Sequence, residues 1–282
     1  MSNETSDTLG HQKQSNYALR PNISRDEFIK EVLTGLTKPP QYFPSNVMMN
    51  KQGYSNIGRI LKKGTTELSI EEFEKLASDS SILLLDTRNA QEFAKGFIPG
   101  SINIGISGDF APWVGTVIKD VNQKIVIIAD DSSKARETVT RLARVGYDNS
   151  LGYLQGGYAT WATSGKKTDT IESITADELS TRLEEHPVAF LLDVRRKSEF
   201  DTEHVIGAEN IPLNYILEDH TIWDKDSTYY VYCAGGYRSM VFISILKSRG
   251  YNNFIDIQGG FNAIKQNDRL PISHYVEPIT ML

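Results

Sequence analysis

The residues best suited to chemistry lie in one short stretch around Cys233, the only cysteine of the chain. The aromatic and β-branched run Tyr229–Tyr232 comes directly before it and predicts a short buried strand. Gly235 and Gly236 follow, and two adjacent glycines permit tight turns with positive φ. From Ser239 onwards, apolar residues recur at helical spacing. The stretch therefore predicts a strand, a tight loop and a helix, with the thiol at the end of the strand.

A loop of this kind could hold a reactive thiolate. The N–H groups of a curled loop form an anion site, and the positive end of the following helix adds to it. A cysteine there is expected to lose its proton readily, because the thiolate gains hydrogen bonds and a favourable field. Arg238 adds a cation with a planar fork of donors. The alternative is a buried structural thiol, which is the commoner role of a lone cysteine. Such a thiol needs neither the glycine pair nor the arginine.

The sequence Cys-Ala-Gly-Gly-Tyr-Arg-Ser (233–239) resembles the active-site loop of the rhodaneses, sulfurtransferases whose cysteine carries a persulfide. The resemblance implies that Cys233 is the nucleophile and that no metal or organic cofactor takes part. It also implies a set of residues that bind the transferred sulfur. These are Ala234, Gly235, Gly236, Tyr237, Arg238 and Ser239.

The second half of the chain repeats the first. The sequence Leu-Leu-Leu-Asp-Thr-Arg (83–88) matches Phe-Leu-Leu-Asp-Val-Arg (190–195), and Gln-Gly-Gly-Tyr (155–158) matches Gln-Gly-Gly-Phe (258–261). Signatures that recur in the same order indicate a duplicated domain. Near-continuous apolar strands alternate with helical stretches in both copies, which predicts an α/β fold with a parallel sheet covered on both faces. This agrees with two rhodanese-like domains, whose ligands are expected at the carboxyl ends of the strands.

Three segments are predicted: an irregular N-terminal arm (1–63), a first rhodanese-like domain (64–168) and a catalytic rhodanese domain (169–282). The arm begins with a polar stretch and then carries apolar side chains such as Tyr42 and Met48. Because these side chains are too apolar to remain in water, we expect the arm to pack on something or to mediate homo-oligomerisation.

The arm carries a second resemblance. Its residues 9–19, 36–44 and 48–54 are similar to the tail of a persulfide dioxygenase, a family in which an iron-bearing metallo-β-lactamase-type domain precedes this tail. No two of the five histidines lie within four residues of each other, so the histidine cluster that such an iron site requires is absent and no metal site is predicted. The resemblance implies a separate persulfide dioxygenase domain as a partner.

The two copies differ where the chemistry would occur. Asp130 or Asp131 is expected at the position that corresponds to Cys233. A carboxylate cannot accept sulfane sulfur as a thiolate does, so the first domain is predicted to be catalytically silent. The first copy also has Phe97 where the second has His204.

Four further residues of the second copy are predicted to support the loop. Asp193, Arg195 and Glu199 resemble the Asp-x-Arg…Glu signature of the rhodaneses. Because both copies keep this signature and only one has the thiol, it is expected to brace the start of a helix. Arg195 and Glu199 are four residues apart, so they are expected to pair on that helix. His204 is expected to form a bracing hydrogen bond rather than to act as a general base.

Composition limits the location and the partners. The net charge of −6 argues against binding to nucleic acid or to an anionic membrane. A single cysteine excludes an internal disulfide framework, which favours a reducing compartment. No apolar run approaches the roughly 20 residues of a membrane span, and the polar start lacks a signal-peptide core. A cytoplasmic protein is therefore expected.

The predicted function is sulfur transfer. Cys233 would take sulfane sulfur from thiosulfate or a low-molecular-weight persulfide and pass it to a thiol, sulfite or cyanide, so the expected partners are a small-molecule donor and acceptor. One alternative is a persulfide-sensing or docking module. Another is a phosphatase or arsenate reductase, although the related loops of those enzymes are one residue longer.

Overall fold

The computed structural model describes residues 6–33, 42–185, 189–218 and 222–276. Within these ranges, the N-terminal residues 6–33 belong to one unit, and residues 42–276 belong to another. Residues 36–41 of the dioxygenase-like arm and the last residues, 277–282, lie outside the described ranges.

The N-terminal unit consists of short helices with local caps. It contains α1 (Leu9–Ser15), a 3₁₀ turn (Tyr17–Leu19) and α2 (Arg25–Leu33). The Thr8 hydroxyl accepts a hydrogen bond from the His11 amide at the start of α1, and the Ser24 amide donates to the Glu27 carboxylate at the start of α2. These caps satisfy amide groups that a helix leaves free at its N-terminus. The arm is thus more regular than expected.

The rest of the arm packs on the first domain. It forms α3 (Phe43–Gln52) and α4 (Ile57–Gly64). Ile60 of α4 lies in the hydrophobic core, and the ring of Tyr42 packs against that core. The expected packing is therefore confirmed for part of the arm, whereas Met48 and Tyr54 remain exposed.

The first domain is a five-stranded parallel sheet surrounded by helices. Its strands are β1 (Glu67–Leu68), β2 (Ile82–Asp86), β3 (Ile102–Asn103), β4 (Lys124–Ile128) and β5 (Ser150–Leu154). Its helices are α5 (Ile70–Ala77), α6 (Ala90–Lys95), α7 (Phe110–Val117), α8 (Ser132–Arg144) and α9 (Gly157–Thr163). The strand order is β1-β5-β4-β2-β3. The apolar strands β2 and β4 lie inside the sheet, as near-continuous hydrophobic runs require.

The second domain repeats this architecture. Its strands are β6 (Ser173–Ile174), β7 (Phe190–Asp193), β8 (Glu209–Asn210), β9 (Tyr229–Tyr232) and β10 (Phe254–Ile257). Its helices are α10 (Ala176–Glu185), α11 (Lys197–Thr202), α12 (Tyr237–Ser248) and α13 (Gly260–Ile264). The order β6-β10-β9-β7-β8 is the same, and all pairs are parallel. The predicted duplicated α/β fold is therefore confirmed.

One hydrophobic cluster spans the two domains and includes α12, and each domain also has a smaller cluster of its own. Val241 and Phe242 of α12 belong to the same cluster of buried side chains as Phe93 and Ile104 of the first domain. All residues from Ser239 to Leu246 are buried, so this part of the helix is enclosed on every side. Burial of each large apolar side chain contributes roughly 1.5–3 kcal/mol. The helix that follows the thiol is therefore held by both domains.

Candidate active site

Cys233 lies at the carboxyl end of β9, in the middle of the second sheet. Asp193 of β7 pairs with Tyr232, so Cys233 is the first residue after the paired strand. Its side chain is 1% exposed. The chain then turns through Gly236, whose φ of +94° favours glycine, and enters α12. The Gly236 amide donates to Sγ at 3.2 Å. The structure thus forms the predicted strand, loop and helix, with an amide aimed at the sulfur.

The residues that follow the Gln-Gly-Gly motif (258–260) form hydrogen bonds with the backbone of Cys233 and Ala234. The Phe261 amide donates to the Cys233 carbonyl at 2.7 Å, and the Asn262 amide donates to the Ala234 carbonyl at 3.0 Å. Gly260 permits this approach, because a Cβ there would lie 2.3 Å from the Cys233 carbonyl oxygen. In the sequence, the repeated Gln-Gly-Gly indicates only a duplication. This motif contacts the loop because the fold places the start of α13 beside the end of β9, and the sequence alone does not show that placement.

Ser239 and Asp256 form a buried polar pair beside the sulfur. Ser239 Oγ lies 3.7 Å from Cys233 Sγ and donates to Asp256 Oδ1 at 2.7 Å. Asp256 Oδ2 accepts hydrogen bonds from Ser173 Oγ (2.7 Å) and Gln91 Nε2 (3.0 Å). Burial raises the pKa of Asp256, although these three donors offset part of the effect.

Asp256 was not among the predicted site residues. The available signal was an acidic residue inside the apolar strand Phe254–Ile257, where a buried charge is costly. The partner Gln91 belongs to α6 of the first domain, which no local pattern indicates.

The expected pairing of Arg195 with Glu199 is wrong. Arg195 instead binds Asp193, with Nε–Oδ1 at 3.0 Å and Nη2–Oδ2 at 2.6 Å, and Nη2 also donates to the Glu203 carbonyl. Arg195 precedes α11, which begins at Lys197, so the helical i, i+4 geometry does not apply to it. Asp193 and Arg195 are two residues apart at the end of a strand.

Glu199 pairs with the loop arginine. Arg238 Nη1 donates to Glu199 Oε2 at 2.5 Å, and Nη2 donates to Oε1 at 2.8 Å. Burial alone would raise the pKa of Glu199, but the hydrogen bonds and charge of Arg238 outweigh it, so the pKa is lowered. The structure therefore brings together two predicted site residues that are far apart in the sequence.

The aspartate–arginine pair recurs in the first domain. Arg88 Nη2 binds Asp86 Oδ2 at 2.6 Å and donates to the Gly96 carbonyl at 2.9 Å. Asn103 and Asn210 each donate to the two backbone carbonyls of the pair in their own domain. The same contacts thus hold the turn after β2, the equivalent of β7, in a domain without a thiol.

His204 contacts α11 and the end of the described chain. Its Nδ1 lies 2.7 Å from the Phe200 carbonyl oxygen, and its ring stacks on the ring of Phe200 with centroids 3.8 Å apart. Its amide donates to Ser273 Oγ at 3.0 Å. These contacts are of the bracing kind that the sequence predicted.

The residue of the first domain that corresponds to Cys233 is Ala129, so the expectation of Asp130 or Asp131 is wrong. Ile128 pairs with Asp86 as Tyr232 pairs with Asp193, which aligns the residues that follow. Asp131 is the N-cap of α8, where its carboxylate accepts from the Lys134 amide at 2.8 Å. The loop before α8 is shorter than the loop before α12, which is why the acidic residues could not be placed from the sequence.

The first domain also contacts the loop of the second. Tyr237 donates from its hydroxyl to the Gly105 carbonyl at 2.8 Å, and its ring covers Gly108, where a Cβ would lie 2.3 Å from a ring carbon. Burial raises the pKa of Tyr237. Of the loop residues, Gly235 is the exposed one, while Ala234, Tyr237 and Arg238 are half-buried.

The described ranges contain no group of three or more His, Cys, Asp or Glu side chains that could hold a metal ion. They also contain no helix that combines the length and the apolar character needed to span a membrane.

Comparison with known proteins identifies the family. Residues 69–164 and 175–267 each match the model of the rhodanese-like domain. The chain belongs to the rhodanese-like family. Both rhodanese-like domains found in the structure are thereby accounted for, the one with Ala129 and the one with Cys233.

The relatives of this rhodanese-like protein include sulfurtransferases. An adenylyltransferase and sulfurtransferase of Ogataea parapolymorpha is 32% identical over 108 residues, which cover 36% of this chain and 26% of that protein. A tRNA sulfurtransferase of Thermoplasma acidophilum is 32% identical over 74 residues, which cover 25% of this chain and 15% of that protein. The matches thus span only a minor part of these relatives.

Solved structures also match the rhodanese-like chain. A thiosulfate sulfurtransferase from Pseudomonas aeruginosa is 20% identical, with 76% of this chain and 44% of that chain covered and a TM-score of 0.34. A rhodanese-like domain protein from Staphylococcus aureus is 31% identical, with 37% of this chain and all of that chain covered and a TM-score of 0.33.

Proposed function

We propose that this protein is a sulfurtransferase in which Cys233 carries the transferred sulfur as a persulfide. The observation that supports this most directly is the position of Cys233, which directly follows the central strand β9. Its Sγ accepts a hydrogen bond from the Gly236 amide at 3.2 Å. A loop that aims amide groups at sulfur stabilises negative charge there, as a thiolate and a persulfide both require.

The proposed cycle has two displacement steps. The Cys233 thiolate attacks the outer sulfur of thiosulfate or a low-molecular-weight persulfide, the S–S bond of the donor breaks, and sulfite or a thiolate leaves. A thiol, sulfite or cyanide then attacks the outer sulfur of the Cys233 persulfide and regenerates the thiolate. Two such steps predict ping-pong kinetics. The resemblance of the arm to a persulfide dioxygenase favours low-molecular-weight persulfides as donors and a separate persulfide dioxygenase as partner.

Arg238 has a more constrained role in this proposal than the sequence indicated. Its Nη1 and Nη2 atoms are both bound to Glu199. A guanidinium has five N–H donors, so others remain for the sulfur or for a departing sulfite. The backbone amides of the loop (234–239) are proposed to hold most of the persulfide charge.

The first domain is proposed to be silent in catalysis. Ala129, which corresponds to Cys233, has no nucleophilic group. Tyr237 of the Cys233 loop packs on the first domain. Its proposed role is to support the loop of the second domain.

The test is the intact mass of the protein before and after a brief incubation with thiosulfate or glutathione persulfide. We expect a gain of one sulfur atom on Cys233 and its loss when cyanide or a thiol is added. Cys233→Ser is the matched control and should gain nothing. A reduced protein that gains no sulfur from any donor would contradict the proposal. Sulfur that is gained but never released to an acceptor would instead indicate the persulfide-sensing module.

A further inference from the structure

The hydrogen bonds around Ser239 leave open how Cys233 loses its proton. Ser239 has a single hydroxyl proton, and it is directed to Asp256 Oδ1 at 2.7 Å. The Ser239 oxygen therefore presents only lone pairs to Sγ at 3.7 Å. In this arrangement it can accept a hydrogen bond from the thiol but cannot donate one to a thiolate.

We propose that Asp256 is a positioning residue that receives the proton of Cys233 through Ser239. The S–H proton passes to Ser239 Oγ while the Ser239 hydroxyl proton passes to Asp256 Oδ1. The S–H bond breaks and an O–H bond forms on Asp256. The products are a thiolate and a neutral carboxyl group. Asp256 then donates to Ser239, and Ser239 donates to the thiolate. The single negative charge moves from the carboxylate to the sulfur, and the total charge of the site does not change.

The surroundings of Asp256 suit this role. Asp256 is fully buried and is held by the neutral donors Ser239, Ser173 and Gln91. In the described residues it forms no ion pair, unlike Asp193, which is bound by Arg195. A buried carboxylate without a cation gains from accepting a proton. Burial raises the pKa of Asp256, which agrees with this direction.

The charged groups on the surrounding elements have other partners. Asp256 is on β10, between β6 and β9, and is contacted by α12 and α6. The pairs formed by charged residues on or next to these elements are Glu172–Arg182, Arg238–Glu199, Lys247–Asp169 and Lys95–Glu92. On β9, the residue that follows the strand is Cys233, and the strand itself carries the phenols of Tyr229, Tyr230 and Tyr232. The Ser239 hydroxyl thus links two titratable groups, the thiol and Asp256.

Through Gln91, a side chain of the first domain takes part in the hydrogen bonds around Asp256. Its Nε2 donates to Asp256 Oδ2, the oxygen that faces away from Ser239. With Ser173 on the same oxygen, it fixes the carboxylate so that Oδ1 remains available to Ser239.

The test is the rate at which iodoacetamide alkylates Cys233 as a function of pH, followed by intact mass on the full chain. The inference rests on the proposed function, but alkylation involves no sulfur transfer, so the two can fail separately. A coupled pair loses its protons in two steps and shares one charge between them. The wild-type rate should therefore show a flat region between two rises. A lone thiol would give one rise, of about tenfold per pH unit.

Asp256→Asn and Ser239→Ala should both abolish the flat region and leave a single rise of about tenfold per pH unit. Ser180→Ala is the control, since Ser180 is a buried serine of the same domain whose hydroxyl donates to the Asp177 carbonyl and not to Asp256, and it should keep the flat region. A wild-type profile with a single rise would overturn the proposal even if a variant failed to fold. Variants whose pH profile of alkylation has the wild-type shape would also overturn the proposal, and so would a thiol that does not react at any pH.

Discussion

At the scale of single residues, the site is defined by partners from distant parts of the chain. Arg238 is held by Glu199 and Cys233 is backed by Ser239 and Asp256. The residue types near the thiol could be recognised from the sequence because the loop is local. Their partners could not, because they depend on which side chains the fold brings together.

The bond between Glu199 and Arg238 predicts a stability that depends on pH. Glu199→Gln should lower the free energy of unfolding at neutral pH by about 1 kcal/mol, because solvent screens a partly exposed pair. The pKa of Glu199 is lowered in the folded protein. Its contribution is therefore present above the unfolded carboxyl pKa of about 4.3 and is lost as the pH falls through the folded value.

Urea unfolding from neutral pH down to about pH 3 would measure this difference. The two proteins should differ at neutral pH and converge in acid, and a difference that is unchanged in acid would contradict the assignment. Glu92→Gln is the matched control in the first domain, where the carboxylate is exposed and paired with Lys95, and it should have little effect.

At the scale of elements, the glycine turn before α13 positions the thiol. Gly260 has a φ of +54°, and a Cβ there would meet the Cys233 carbonyl oxygen at 2.3 Å. Gly260→Ala should cost roughly 1–2 kcal/mol for the left-handed backbone alone. The displaced loop should also lower sulfur transfer by at least about tenfold, since small errors in position greatly reduce rates.

Gly207→Ala is the control for Gly260→Ala. Its φ of +89° carries the same backbone strain, but no atom lies within 4 Å of the added Cβ. It should lose comparable stability and keep the transfer rate near that of the wild type. If both variants lose transfer equally, the contact with the Cys233 peptide is not what positions the loop.

The elements also show where sequence reasoning succeeds and fails. The strand Tyr229–Tyr232 and the helix after it were predicted because their patterns are local and strongly periodic. The corresponding loop of the first domain was misplaced, because its length changes and only the strand pairing identifies Ala129. Asp256 was missed because its significance lies in its partners, Ser239 and Gln91.

At the scale of the whole molecule, the shared core predicts that the two domains unfold together. Phe242 is fully buried in this core and meets Trp223 and Phe254 edge-to-face. Phe242→Ala should cost about 3–5 kcal/mol, as large core truncations do. Hydrogen exchange should show lower protection in both domains, with a single unfolding transition. Loss confined to the second domain would contradict a common core, and Phe190→Ala, at an exposed position, should change little.

The placement of α12 against β3 has a consequence for synthesis on the ribosome. The Asn103 amide donates to Ser244 Oγ at 2.9 Å, although the two residues are 141 positions apart. The first domain therefore emerges with the surface that α12 covers still open to water, and it stays open until α12 has been translated. A nascent chain that stops before α12 should bind chaperones that recognise apolar surface, and release should follow once residue 248 has left the exit tunnel.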